Sequence, residues 1–192
     1  STATTATLAR WAGQTPGWRP LAAAGAALAC AAMFARMAAL VAIAAPGIGW
    51  DPVVIFVAMA VAGGVLGTFL AARSSAEDLP ELQLGNPLQL RSALHFAAFL
   101  AAVMLAGRFL ADRFGDAGVM LTAAASGLVD VDAITLSIGR LVTEGAVTAA
   151  SATLALFIAA SVNQVTKLVL LMSLAGRALA WRVLPSYAAM AA

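Results

Sequence analysis

Long apolar stretches separated by short polar ones dominate this chain. Five of them approach the roughly 20 residues that an α-helix needs to cross a bilayer. They are residues 21–45, 52–72, 86–114, 119–141 and 147–174. The pattern predicts an all-α polytopic membrane helix bundle with about five spans, in which residues 1–192 form one transmembrane domain.

Composition and charge support a membrane protein. Hydrophobic residues are 62% of the chain and charged residues only 10%, and the mean hydropathy is +0.95, whereas soluble domains have about a quarter charged residues. The charges concentrate between the second and third predicted spans, which indicates an aqueous loop. The net charge of +2 gives no support for binding to nucleic acid. The partner that the composition predicts is the lipid bilayer.

The fourth predicted span is unusual because it holds two carboxylates near its middle. A carboxylate at that depth costs roughly 2.5 to 3.5 kcal/mol, so it needs a partner, water or an ion. Gly127, Val129 and Val131 disfavour a continuous helix there, and we expect the span to be broken into two half-helices. Asp130 and Asp132 then either cap the second half-helix or bind a metal ion, and both roles are compatible.

Other polar residues complete the candidate site. Thr135 lies one turn after Asp132, on the same helix face. Asn163 and Lys167 share a face of the fifth span, and Arg36 lies in the first span, where we expect both cations to be buried. Two cations and two carboxylates would neutralise one another, either around a displaceable ion or as a static ion-pair lock.

A weak internal repeat adds two threonines to this set. Residues 1–10 align without gaps onto residues 131–140, with Ala, Thr and Arg identical at three positions. The alignment places Thr2 and Thr5 opposite Asp132 and Thr135. We therefore expect residues 1–10 to be a half-helix of a first repeat, residues 131–192 to start the second, in inverted or parallel orientation, and the chain to be the C-terminal part of a longer protein.

Sequence features of enzymes are missing. His95 is the only histidine and Cys30 the only cysteine, so zinc-site and Cys/His catalytic patterns have no support. No Gly-rich phosphate loop, HExxH or GxSxG pattern occurs. We expect a protein that is not an enzyme and has no cofactor other than a bound cation such as Mg²⁺.

Several motifs resemble one family. The segments 85–88, 94–96, 115–118 and 126–137, with Asn163 and Lys167, are similar to the uncharacterised DUF4010-like multi-pass domain found C-terminally in bacterial MgtC/SapB-family membrane proteins. The resemblance implies a multi-pass protein of the bacterial inner membrane, an N-terminal MgtC-like domain as neighbour, and a connection with magnesium.

These observations together predict a transporter or channel-like protein for a small cation, Mg²⁺ or another divalent ion. The predicted ion-binding residues are Asp130, Asp132, Thr135, Asn163, Lys167, Arg36, Thr2 and Thr5. We also expect a homodimer, because a half-built repeat leaves polar faces uncovered. The alternative is a non-transporting regulatory or assembly module, with Gly63, Gly64 and Gly67 as its interface.

Overall fold

In the computed structural model, all regular structure in the described residues is helical. The structure describes residues 2–74, 90–176 and 179–184, and Ala188. The longer α-helices of the described residues are α1 Thr2–Gln14, α2 Arg19–Ala44, α3 Asp51–Ala72, α4 Leu90–Phe114, α5 Asp116–Gly127, α6 Asp132–Thr143 and α7 Ala149–Ala175. Most of the predicted charged loop, and the side chain of His95, lie outside the described residues.

Three of the described helices are long and apolar enough to cross a membrane. They are α2, α3 and α7, with 26, 22 and 27 residues. These correspond to the first, second and fifth predicted spans, so the prediction of a membrane-like helical protein is confirmed at that level. The third predicted span coincides with α4, which does not meet the same criteria within the described residues.

The fourth predicted span is two short helices. Helix α5 ends at Gly127 and α6 begins at Asp132, with 12 residues in each. Twelve residues rise about 18 Å, which is less than the ~30 Å hydrocarbon core. Neither helix alone is therefore long enough to span a bilayer.

Helix α3 has the exposed apolar surface that is expected of a helix facing lipid. Its large apolar side chains are exposed along its length: Val54, Ile55, Val57, Val61, Val65 and Phe69. The opposite face packs on α2, where a Cβ on Gly67 would lie 2.8 Å from the Leu28 side chain. Gly67 is thus used for a contact within the chain, whereas Gly64 has open space around it.

Small residues let the helices of the core approach closely. Buried alanines line α2 and α7, and a Cβ on Gly127 would lie 2.5 Å from the Ala159 carbonyl oxygen. Three phenylalanines fill the space between α2, α3 and α7, with the Phe34 ring 6.1 Å from that of Phe56 and the Phe56 ring 5.2 Å from that of Phe157. Small-residue packing of this kind is typical of helices in membranes.

The short helices α1 and α6 pack against the same two long helices. Each contacts both α2 and α7. The starts of α1 and α6, at Thr2 and Asp132, are 130 residues apart, and so are the starts of α2 and α7, at Arg19 and Ala149. This spacing equals the offset of the sequence repeat.

Candidate functional site

The carboxylate of Asp132 lies at the start of α6 and is bound by Arg36 of α2. Arg36 Nε donates to Oδ1 at 3.0 Å, and Nη2 lies 2.8 Å from Oδ2, a two-pronged geometry that suits guanidinium and carboxylate. Asp132 is only 9% exposed, but the Arg36 side chain is 50% exposed. The expectation that Arg36 is buried is therefore wrong, since only part of its side chain is covered in the contact with Asp132.

Asp130 lies in the turn between α5 and α6 and supports the start of α6. Its Oδ1 accepts a hydrogen bond from the backbone N–H of Asp132 at 3.3 Å. Asp130 thus satisfies the first N–H of α6 from a position before the N-cap residue Val131, which makes no side-chain capping bond. Asp132 is bound by Arg36, and the predicted metal-binding role of the two carboxylates stays a prediction.

Thr135 lies one turn further along α6 and is almost fully buried. Its hydroxyl donates to the carbonyl of Val131 at 2.7 Å, which leaves its oxygen lone pairs available as acceptors. Further along the same face, a Cβ on Gly139 would lie 2.6 Å from Ala45 Cβ. The Asp132 face of α6 therefore packs against α2.

Asn163 of α7 joins the end of α5 to the start of α1. Its Nδ2 donates to the carbonyl of Gly127 at 2.9 Å and to the hydroxyl of Thr2 at 3.3 Å. Thr5, one turn after Thr2, is fully buried. Asn163, Thr2 and the end of α5 are thus brought together.

Lys167 is fully buried, as expected, but its partners are different from those predicted. Its Nζ lies 3.1 Å from Met33 Sδ and 3.7 Å from Cys30 Sγ, both on α2. The ion pairs found among the described residues do not include Lys167, so pairing with Asp130 or Asp132 is not observed.

The sulfur neighbours of Lys167 were missed by sequence reasoning. Cys30 also donates to Gln164 Oε1 at 3.1 Å. The signal available was the i, i+3 spacing of Cys30 and Met33, which places both on one face of the first span. That spacing is equally typical of core packing, so only the structure identifies them as partners of a lysine.

A second charged cluster lies at the other end of α6. Glu144, which follows α6, is bound by Arg108 and Arg140, and all three line a cavity of about 550 Å³ with Ser137. The hydrogen bond from Arg140, with the positive charges of both arginines, lowers the pKa of Glu144. These residues were not predicted from the sequence as a cluster.

The acidic residues offer a limited set of ligands for a metal. Within the described residues, no group of three or more His, Cys, Asp or Glu side chains is placed to hold a metal ion. Asp130 and Asp132 supply two carboxylates, and an ion bound there would keep several water ligands, as Mg²⁺ commonly does. Binding through both oxygens of Asp132 requires Arg36 to move away.

Comparison with known proteins identifies the family. Residues 1–175 match the family model described as Domain of unknown function (DUF4010). The chain belongs to this family. It is also 27% identical over 99 residues to an "Uncharacterized protein" of Aquifex aeolicus (strain VF5), a match that covers 52% of this chain and 43% of that protein. No solved structure matches the chain.

Proposed function

We propose that the protein is a membrane transporter or channel-like protein for a small cation, with Asp132 as its central ligand. The observation that carries the proposal is the unequal burial of the Arg36–Asp132 pair. The carboxylate is nearly buried, whereas its counter-ion is half exposed. Because half of the Arg36 side chain is not packed against the chain, we propose that it can move away from Asp132 and make way for a mobile cation.

The position of Asp132 supports this role. It lies at the start of α6, after the turn that follows α5. We propose that α5 and α6 together cross the bilayer as one interrupted span, since each is too short alone. Interrupted helices place backbone groups and side chains at ion sites in many transporters. The helix starts that are 130 residues apart support the further proposal of an internal repeat.

Mg²⁺ is the first candidate ion. Asp130, Asp132 and Thr135 offer hard oxygen donors, which suit Mg²⁺ or a similar divalent ion. From the family resemblance we also propose an MgtC-like domain as neighbour and a location in a bacterial inner membrane. From the repeat we propose assembly as a dimer.

A second candidate function is a regulatory or assembly module that moves no ion. The observation that favours it is the same ion pair, since the two-pronged contact between Arg36 and Asp132 is also suited to locking α2 against α6. In that case the charges order the bundle and no cation replaces Arg36.

The two functions differ in a flux measurement. The purified chain is reconstituted into liposomes that enclose a Mg²⁺-sensitive dye, and external MgCl₂ is added. We expect Mg²⁺ entry above that of empty liposomes, and entry that is reduced by Asp132→Asn. Equal rates with and without the protein, under gradients of Mg²⁺, Na⁺ and protons, would favour the regulatory module.

A further inference from the structure

The ends of several helices meet at one end of the bundle. Trp11 in α1 and Trp18 just before α2 have ring centroids 6.0 Å apart, so the end of α1 lies beside the start of α2. A Cβ on Gly13 would clash with the carbonyl oxygen of Leu174, which places the end of α7 there too. Helix α3 follows α2 after a short connection and packs along it. It therefore runs back and ends on the same side.

This side of the bundle, which we call the basic end, carries arginines without a counter-charge. They are Arg10, Arg19, Arg73 and Arg182. The ion pairs found among the described residues include none of these four. Arg19 Nε is a buried donor that has no hydrogen-bond partner in the described part of the chain, and the Arg73 guanidinium lies 4.0 Å from the centre of the Phe69 ring. Such donors call for an acceptor from outside the chain.

At the opposite end most of the positive charge is paired. Glu144 follows α6, which contacts the segment 46–48 after α2. Arg108 and Arg140 both bind this carboxylate, and Arg108 also contacts Asp112. The two ends of the bundle therefore differ in charge, although both carry arginines.

Exposed tryptophans indicate that both ends lie at the level of the lipid headgroups. Trp50 lies between α2 and α3, at the opposite end, and is 72% exposed. Trp181 lies beyond α7, lines a cavity with Met172 and is 68% exposed. Tryptophan is enriched at both membrane interfaces. The 26 residues of α2 rise about 39 Å, which suits a bilayer of about 40 to 45 Å including its headgroups.

We propose that the basic end faces the cytoplasm and binds the headgroup phosphates of anionic phospholipids. Cytoplasmic segments of membrane proteins carry an excess of Lys and Arg, and the negative surface of that leaflet attracts them. Guanidinium groups also match the oxygens of a phosphate. The loop after α3 adds Glu77, Asp78 and Glu81, which lie outside the described residues, but acidic side chains contribute little to orientation. The inference requires a membrane location and does not depend on ion movement.

Labelling of single cysteines tests the orientation in the full chain. Gly17→Cys marks the basic end, where a Cβ on residue 17 meets open space. Ala146→Cys marks the opposite end, since Ala146 is exposed. Cys30 is fully buried, so the unmodified chain gives the background. The reagent is a maleimide that does not cross membranes, added to bacterial spheroplasts or to inside-out vesicles.

We expect Ala146→Cys to react in spheroplasts and Gly17→Cys to react in inside-out vesicles. The reverse pattern would overturn the proposed orientation. Reaction of both positions from the same side, or of each position from both sides, would overturn it as well.

Thermal melts in detergent test the contact with phosphate headgroups. We expect phosphatidylglycerol to raise the melting temperature more than phosphatidylcholine does. Each arginine near an anionic surface changes the affinity by roughly fivefold. A variant that combines Arg10→Gln, Arg19→Gln and Arg73→Gln should therefore need at least about tenfold more phosphatidylglycerol for the same stabilisation.

The matched control combines Arg108→Gln, Arg113→Gln and Arg140→Gln, which removes the same charge from the opposite end. Its requirement for phosphatidylglycerol should stay close to that of the unmodified chain. An equal loss in both variants, or equal stabilisation by the two lipids, would overturn the headgroup contact. Inorganic phosphate that stabilises the chain as well as phosphatidylglycerol would overturn the lipid as the source of the phosphate. The labelling experiment does not require the arginine variants to fold.

Discussion

Replacing Asp132 with asparagine is the most direct test of the proposed transport function. The substitution keeps the shape of the side chain and one oxygen that can accept from Arg36, but it removes the negative charge. We expect Asp132→Asn to remove most cation flux while the protein still folds and inserts. The survival of the fold depends on the free energy of unfolding, and the loss of flux depends on the free energy of cation binding.

The cost to stability follows from the exposure of Arg36. A fully buried ion pair that loses one partner costs about 3 to 5 kcal/mol, whereas exposed pairs are worth about 0 to 1 kcal/mol. The Arg36 side chain is 50% exposed and that of Asp132 13%, so the pair is partly buried and we expect a cost between these limits, about 1 to 3 kcal/mol. Domains of this size have about 5 to 15 kcal/mol of stability, and the fold should therefore survive.

The effect on ion binding is larger because no other group replaces the lost charge. A charge-assisted contact contributes about 1.5 to 3 kcal/mol, which corresponds to roughly 10- to 150-fold in affinity. We expect Mg²⁺ flux at subsaturating concentration to fall by at least about tenfold. Asp130→Asn should do less, because an amide oxygen can still accept from the Asp132 backbone N–H.

The assay combines flux in liposomes with the melting temperature and elution volume of each variant in detergent. Asp112→Asn is the matched control, since Asp112 is an exposed carboxylate paired with Arg108. Equal flux in Asp132→Asn and the unmodified protein would refute the central role of Asp132. A variant that fails to fold, but is rescued by combining Asp132→Asn with Arg36→Met, would show that the pair is a structural lock.

Two further predictions concern packing and pH. Gly127→Ala should lower the free energy of unfolding by about 1 to 3 kcal/mol, because its Cβ would lie 2.5 Å from the Ala159 carbonyl oxygen; thermal melts should show no such loss in Gly64→Ala, where a Cβ meets open space. Glu144 has a lowered pKa in the folded state, so its stabilising contribution is present above the usual value of 4.5 and is lost as pH falls through the folded pKa. The melting temperature should therefore fall less between pH 7 and pH 3 in Glu144→Gln than in the unmodified protein, and an identical fall in both would contradict this contribution.

The sequence by itself determined the helical membrane character of the chain and the ends of most long helices. Apolar length and turn residues act locally, so helices α2, α3 and α7 start and end within about two residues of the predicted spans. The same local signals indicated that residues near Gly127 do not continue a helix into Asp132. The sequence also placed Asn163 and Lys167 on one helix face, because helical spacing is a property of the chain alone.

Only the tertiary structure decided which polar groups meet. Whether Arg36 or Lys167 reaches Asp132 depends on how α2 and α7 are rotated about their axes. Alanine-rich helices have few large side chains that would fix this rotation. The same rotation placed Lys167 Nζ against two sulfurs of α2. It also brought Asn163 Nδ2 to the Gly127 carbonyl at the end of α5, since a hydrogen bond between distant helices is fixed by their packing and not by local sequence.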